Sequence, residues 1–409
     1  MQQRSDLTFK ANKSIPRHNW FTLTPAYSRE LVGRILEQYD SENYSVLDPF
    51  SGTGTTPLTA ASMGFSSIAI EINPFLHWLG NLKLGDYSDI GSDKLSSTWS
   101  AVIEYALSNS RKKIVPKMHN IDRWWTKKTV LLLGKMRWYL NNVVSKESKD
   151  EYKLLTCAHL QLVESMSNIK RNHQSLSFGK GAENFSTDDF KKLADDALSN
   201  MSLGLSISLP SSSRVILDDS TNFSVVLEPH NLVITSPPYC NRMSYLRELR
   251  PFMYWTEFLD QPSEAGQLDW KCVGGTWGVA TSKLNDWEPI ITLPERLEIE
   301  KLKSEIICVG EKNEKKNPHL MAKYVHKYFH DMYLHLQSLK KLLTPNATLH
   351  YIVGNSLFYG VHVPTHLLLA EMMRELGYGT PIINTIRKRN SKKGLYEYDI
   401  TINANQVEY

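Results

Sequence analysis

Val46-Leu47-Asp48-Pro49-Phe50-Ser51-Gly52-Thr53-Gly54-Thr55-Thr56 reads as an apolar strand closed by an acid, a Gly-rich turn and the first residues of a helix. Gly52 and Gly54 permit the tight turn and let the backbone come close to a ligand. The amides that follow cap a helix whose positive end can face an anionic group. The Gly-Lys-Ser/Thr of a P-loop is absent, so that reading is excluded.

Outward from this stretch, runs at about 44–48, 67–71, 213–217, 231–235 and 347–353 are short, apolar and rich in Val, Ile and Leu. Strands covered on both faces have this composition. Helical patterns occupy 28–36, 55–63 and 364–376, the last two followed by Gly64 and Gly377 as stop signals. Runs at about 380–387 and 396–403 are joined across Lys388 to Leu395, which reads as a hairpin. Two crossovers exceed any single helix and are expected to be sub-domains. Residues 85–212 are mostly helical in pattern, with segments at 129–144, 151–169 and 188–201, and residues 251–344 form a second insertion. The expected fold class is α/β: a seven-stranded, mostly parallel sheet with helices on both faces, plus two largely helical insertions. Residues 1–84, 213–250 and 345–409 would form its catalytic domain. In an open sheet of this kind a ligand sits beyond the C-terminal strand ends.

A second stretch, Ile234-Thr235-Ser236-Pro237-Pro238-Tyr239, puts a hydroxyl, two prolines and an aromatic ring at such a strand end. In this order the two motifs resemble those of the DNA amino-methyltransferases, which use S-adenosylmethionine (AdoMet) to methylate cytosine N4 or adenine N6. The strand pattern likewise resembles the sheet of class I AdoMet-dependent methyltransferases. The resemblance covers roughly 18–84, 213–250 and 345–403. It implies that Asp48 lies near the methionine end of AdoMet, with Phe50, Gly52, Gly54 and Thr55 in the adjoining turn. Glu71, closing the second strand just before Asn73, is placed to accept hydrogen bonds from both ribose hydroxyls. Asp219 matches the family acid near the adenine amine, with Asp218 as its rival. Trp20 and Phe21 fall in a segment that resembles the one packed over the methionine moiety, although Pro25 and Tyr27 depart from its usual pattern. Their alternative is a place in the core.

In the catalytic motif the Ser236 side chain and the Pro237 carbonyl would accept hydrogen bonds from the exocyclic amine and favour a pyramidal nitrogen. That is positioning and transition-state stabilisation. Pro237 and Pro238 fix the direction of the carbonyl, and Tyr239 offers a face for an extruded base. In the resemblance, Ser at the first position points to cytosine N4, whereas Asp or Asn there is typical of adenine N6. Cys240 follows directly and raises a covalent C5-cytosine route. It is displaced past Tyr239, so it reads as a small residue beside the pocket. Asn355 and Ser356 resemble a later wall of the site.

The formal net charge of the 409 residues is +4, unevenly spread. Arg111 to Lys180 holds fifteen Lys or Arg against five Asp or Glu, and Arg387 to Lys393 holds no acid. Both clusters read as contacts for a polyanion. Arg123, Lys127, Lys128, Lys170 and Arg171 belong to the first, Arg387 and Arg389 to the second, and Arg242 follows the catalytic motif. The four cysteines contain no Cys-x-x-Cys pair, so neither zinc nor a disulfide framework is indicated. His326, His330 and His335 lack the Glu a metalloprotease helix needs and read as a solvated helix face. A polar N-terminus and the lack of a long apolar run predict a soluble, cytoplasmic protein. The expected function is site-specific methylation of double-stranded DNA with AdoMet and no metal, with a cognate restriction endonuclease as candidate partner. The alternatives are an RNA amine methyltransferase and an inactive nucleic-acid-binding protein of this fold.

Overall fold

The computed structural model describes residues 5–23, 27–170, 177–179, 185–241, 244–275, 279–389 and 394–402. The central sheet has the strands β1 (Val46–Asp48), β2 (Ser67–Glu71), β3 (Ser213–Leu217), β4 (His230–Thr235), β5 (Leu343–Gly354), β6 (Ile382–Lys388) and β7 (Tyr396–Ile402). Their order is β6-β7-β5-β4-β1-β2-β3. The pairs from β5 to β3 are parallel, and β7 runs antiparallel to both of its neighbours. This is the seven-stranded class I methyltransferase architecture, with the order reversing between β1 and β4, where a ligand crevice forms.

Alternation along the strands divides their side chains between two cores. Val46, Leu232, Ile234 and Ile352 pack on the face that carries helices α1 (Arg29–Leu36) and α2 (Thr55–Ser62). Leu47, Ile70, Val233, Tyr351 and Val353 face the long helix Pro318–Leu339. Helix α1 starts where the Ser28 hydroxyl accepts from the Leu31 amide, an N-cap that satisfies one of the orphan donors of a helix start.

Helix α3 (Pro74–Leu84) crosses close over β3, because a Cβ at Gly80 would lie 2.6 Å from a Val215 methyl. Next to it, the Asn81 amide donates to the Val215 carbonyl at 2.9 Å and its oxygen accepts from the Val215 amide at 3.0 Å. One side chain thereby pairs both backbone groups of a residue in the edge strand.

Residues 85–212 contribute the helices Ser92–Leu107, Lys127–Tyr139, Lys149–Ser165 and Thr187–Leu205. They share one core with Trp20, Phe21, Phe75, Phe252 and Trp255, so this stretch is packed into the body of the protein. Arg17 joins it to the sheet. Its guanidinium is 1% exposed and donates to the carbonyls of Gly204, Lys83, Gly85 and Ile207. The expected boundary at 250/251 falls inside a continuous helix, Tyr245–Trp255.

The histidine reading is corrected by the structure. His326, His330 and His335 are all buried, because the long helix is covered by the sheet on one side and by residues 287–312 on the other. Trp287 packs edge-on against His326 and His330. The His335 Nδ1–H donates to the Ser220 carbonyl at 2.8 Å, which leaves Nε2 to accept from the Tyr351 hydroxyl at 2.7 Å. Among the described residues no group of three or more metal-ligating side chains occurs, and no helix is long and apolar enough to cross a membrane.

Candidate cofactor and catalytic site

At the C-terminal end of β1 the chain enters its turn with Gly52 at φ 53° and Gly54 at φ 79°, conformations that cost glycine little. The Gly52 amide donates to one Glu71 carboxylate oxygen and the Asn73 amide to the other, each at 2.8 Å. Asp48 accepts from the Phe50 amide at 3.0 Å and from the Thr235 hydroxyl at 2.6 Å through a single oxygen, Oδ1. Its Oδ2 and the Ser51 hydroxyl are buried without a partner among the described residues. Behind the turn, the buried Lys83 ammonium donates to the carbonyls of Thr53 and Phe21 at 3.0 and 2.9 Å, clamping the N-terminal segment onto the loop.

Ser51, Gly52, Glu71 and Asn73 border a cleft of about 1070 Å³, its open mouth included, and the buried Asp48 and Lys83 stand behind its lining. Phe50, Gly52, Thr55, Glu71, Asn73 and Asp219 line one part and Ser236 and Pro238 another. Asp219 is on this wall, whereas Asp218 is spent on the Ser224 and Val225 amides. Trp20 and Phe21 are corrected to core aromatics. Trp20 packs beside Tyr87 with its indole N–H on the Asn200 carbonyl, and Phe21 meets Phe75 and Phe252 edge-on. Tyr245, Leu246, Leu249, Asp269 and Cys272 also line the cleft. They come from the stretch after the catalytic motif and carry no local signature that sequence reading could have used.

Ser236 donates its proton to the Ile352 carbonyl at 3.0 Å, which leaves its oxygen as an acceptor. The Pro238 carbonyl is occupied by the Tyr328 hydroxyl at 2.8 Å. The Pro237 carbonyl receives no donor among the described residues. Cys240 is fully buried and off the cleft, and burial pushes its thiol well above the ordinary range.

A family profile described as DNA methylase, of the N6/N4 type, matches residues 10–79, the N-terminal segment through α3. Over this segment the chain is similar to the DNA amino-methyltransferases. Across its length the chain is 23% identical to the Type II methyltransferase M.BsoBI of Geobacillus stearothermophilus, covering 97% of this chain and 85% of the relative. It is 21% identical to M.AvaI of a Nostoc species, covering 92% and 82%, and 21% identical to M.MvaI of Kocuria varians, covering 86% and 79%.

AdoMet is the methyl donor of this fold and family, and the cleft fits it. The Glu71 carboxylate suits a diol, the Ser51 hydroxyl has no partner among the described residues, and Ile70, Ile72 and Leu249 supply apolar walls. Burial raises the Glu71 carboxyl to about 7, against the two amide hydrogen bonds that favour its charged form. Asp48 is raised to about 6, also by burial. Ribose hydroxyls that donated to Glu71 would prefer its carboxylate, so cofactor binding below pH 7 would release a proton from it. The AdoMet dissociation constant is therefore expected to be about tenfold higher at pH 6 than at pH 8. Lys83, lowered to about 7 by burial, titrates in the same window. Calorimetry on Glu71→Gln separates the two, because an unchanged pH profile in that variant would remove Glu71 from the effect.

The expected polyanion contacts divide into two groups. Arg123, Lys127 and Lys128 lie on the exposed surface around the start of Lys127–Tyr139. There Arg123 stacks 4.2 Å from the Phe178 ring and Lys128 donates to the Phe185 carbonyl. Arg171, Arg242 and the Lys170 side chain lie outside the described residues. Arg387 and Arg389 are corrected from backbone-gripping residues to partners within the site. Arg387 pairs with Glu397 at 2.6 Å, and Arg389 donates to the Asn355 carbonyl with its Cζ 4.8 Å from the centre of the Tyr239 ring. Neither is a free charge, because one acceptor arrives from β7 and the other from the residue that follows β5.

Proposed function

We propose that the protein is a site-specific methyltransferase of double-stranded DNA that acts on the exocyclic amine of an extruded base, cytosine N4 first, in a restriction-modification setting with a cognate endonuclease. The observation that carries this reading is the acceptor pair: the Ser236 oxygen, its proton committed to Ile352, and the Pro237 carbonyl without a donor among the described residues. Two acceptors at one strand end match the two hydrogens of an amine. The Type II methyltransferase relatives support DNA as substrate and the restriction-modification setting. Ser at the first motif position supports cytosine.

When bound, AdoMet supplies an electrophilic methyl group. The protein's part is to hold the amine. By accepting both of its hydrogens, Ser236 and Pro237 draw the nitrogen lone pair out of conjugation with the ring and stabilise the positive charge that grows as the amine attacks. Tyr239 gives the base a stacking face outside the duplex. Asp219 would serve the adenine end of the cofactor, and Arg123, Lys127 and Lys128 would meet phosphates from the 85–212 stretch.

The test is nucleoside analysis after incubation of unmethylated duplex DNA, or tRNA, with labelled AdoMet. N4-methylcytosine in DNA is expected, together with substantial activity in Cys240→Ala, since a buried, protonated thiol off the cleft is no nucleophile. N6-methyladenine would correct the base and keep the chemistry. Product in tRNA alone would redirect the substrate, and 5-methylcytosine lost in Cys240→Ala would overturn the mechanism.

A further inference from the structure

We propose that Glu397 on β7 is a positioning residue for methyl transfer that acts through the hydroxyl of Tyr239. This rests on the reading of Tyr239 as the face on which the target base stacks. The Tyr239 hydroxyl donates to Glu397 Oε1 at 2.7 Å. Arg387 donates to both oxygens of the same carboxylate, from Nε at 2.6 Å and from the guanidinium tip at 3.1 Å. Glu397 is 3% exposed. A buried carboxylate is costly unless it is paired and hydrogen-bonded, and Arg387 and Tyr239 together meet that demand.

The backbone is arranged for this contact. Glu397 stands opposite Gly354 on β5 and opposite Arg387 on β6, just past a register shift between Thr385 and Arg387. Irregularities of this kind re-aim side chains near functional sites. At Gly354 a Cβ would come within 2.9 Å of the Tyr239 ring, so the ring lies directly on the strand. Arg389, anchored on Asn355, stacks over it. The ring is thus held at its tip by Glu397, along its Cδ2–Cε2 edge by Gly354 and across one face by Arg389. The hydroxyl stays protonated, since burial and the neighbouring Glu397 both raise it well above its usual range.

Amine methylation asks nothing of Tyr239 as an acid or base, so its hydroxyl matters through the place it gives the ring. A charge-assisted hydrogen bond is a strong and directional means of fixing that place. Glu397 is absent from the cleft lining, so its loss should act on the rate and spare cofactor binding.

The test compares the protein with Glu397→Gln, Tyr239→Phe, the double variant and Tyr239→Ala, using unmethylated bacteriophage DNA and tritiated AdoMet in single turnovers. Calorimetry gives the AdoMet affinity of each. Glu397→Gln and Tyr239→Phe are each expected to slow transfer by about 5–30-fold, as loss of a charge-assisted hydrogen bond would, with AdoMet affinity within about twofold. The double variant should be no slower than the slower single, because both remove one interaction. Multiplying losses, or a Glu397→Gln rate equal to that of the unsubstituted protein, would overturn the proposal while leaving Tyr239 as the stacking face. Full activity in Tyr239→Ala would overturn that reading, and the role of Glu397 with it.

Discussion

Replacing Ser236 by Ala is expected to lower the rate of methyl transfer by about 10²–10³-fold, the usual cost of removing one preorganised polar group that stabilises developing charge. AdoMet affinity should stay within about twofold. Ser236 takes its orientation from β5, where its proton goes to Ile352, so the oxygen is aimed before any base arrives and needs no reorganisation. Alanine removes the acceptor without opening a large void, because the residue stands half-buried at the cleft edge. The Pro237 carbonyl remains, which is why a residual rate should survive. Single-turnover rates and cofactor titration on the same preparation measure both quantities. Equal losses of rate and affinity would assign Ser236 to the cofactor instead.

Arg17→Ala is expected to destabilise the protein by about 3–5 kcal/mol, because it leaves buried carbonyls unpaired and opens a cavity. The carbonyls of Lys83, Gly85 and Ile207 would lose the Arg17 donor and that of Gly204 one of its donors, and the aromatic rings of Trp20 and Tyr87, 5.7 and 5.3 Å from the guanidinium, would border a cavity. Lysine cannot reproduce the fork that reaches the ends of α3 and of Thr187–Leu205 together, so Arg17→Lys should recover little. Thermal unfolding with and without AdoMet tests this, and a loss below about 1 kcal/mol would show that the carbonyls find water instead.

The sheet was legible because its strands are continuous apolar runs and its turns are chemically marked. The onset of β1 and β5 moved by a few residues, and the three-residue strands Ser356–Phe358 and Val361–Val363 were too short to carry a pattern. The strand-end positions of Asp48, Glu71 and Ser236 were readable because each closes or follows an apolar run that a proline soon ends. The readings that failed share one cause. Trp20, the helix histidines and the Arg387/Arg389 pair take their roles from distant partners such as Asn200, Trp287 and Glu397. Local spacing says nothing of elements that only the tertiary fold brings alongside.

An open sheet ends in strands whose outward amides and carbonyls can recruit another chain, and β3 is such an end. Its central residue, Val215, already has both outward groups bound by the Asn81 side chain. The amide group of asparagine imitates a peptide unit, so the edge meets a counterfeit strand one residue long, carried on a helix that cannot propagate it. A second molecule approaching this edge finds its register broken at the middle, and Arg214 next to it adds a charge that an incoming strand would have to bury. The same helix that lines the cleft through Leu76 thus occupies the middle of this edge, where strand addition would otherwise begin.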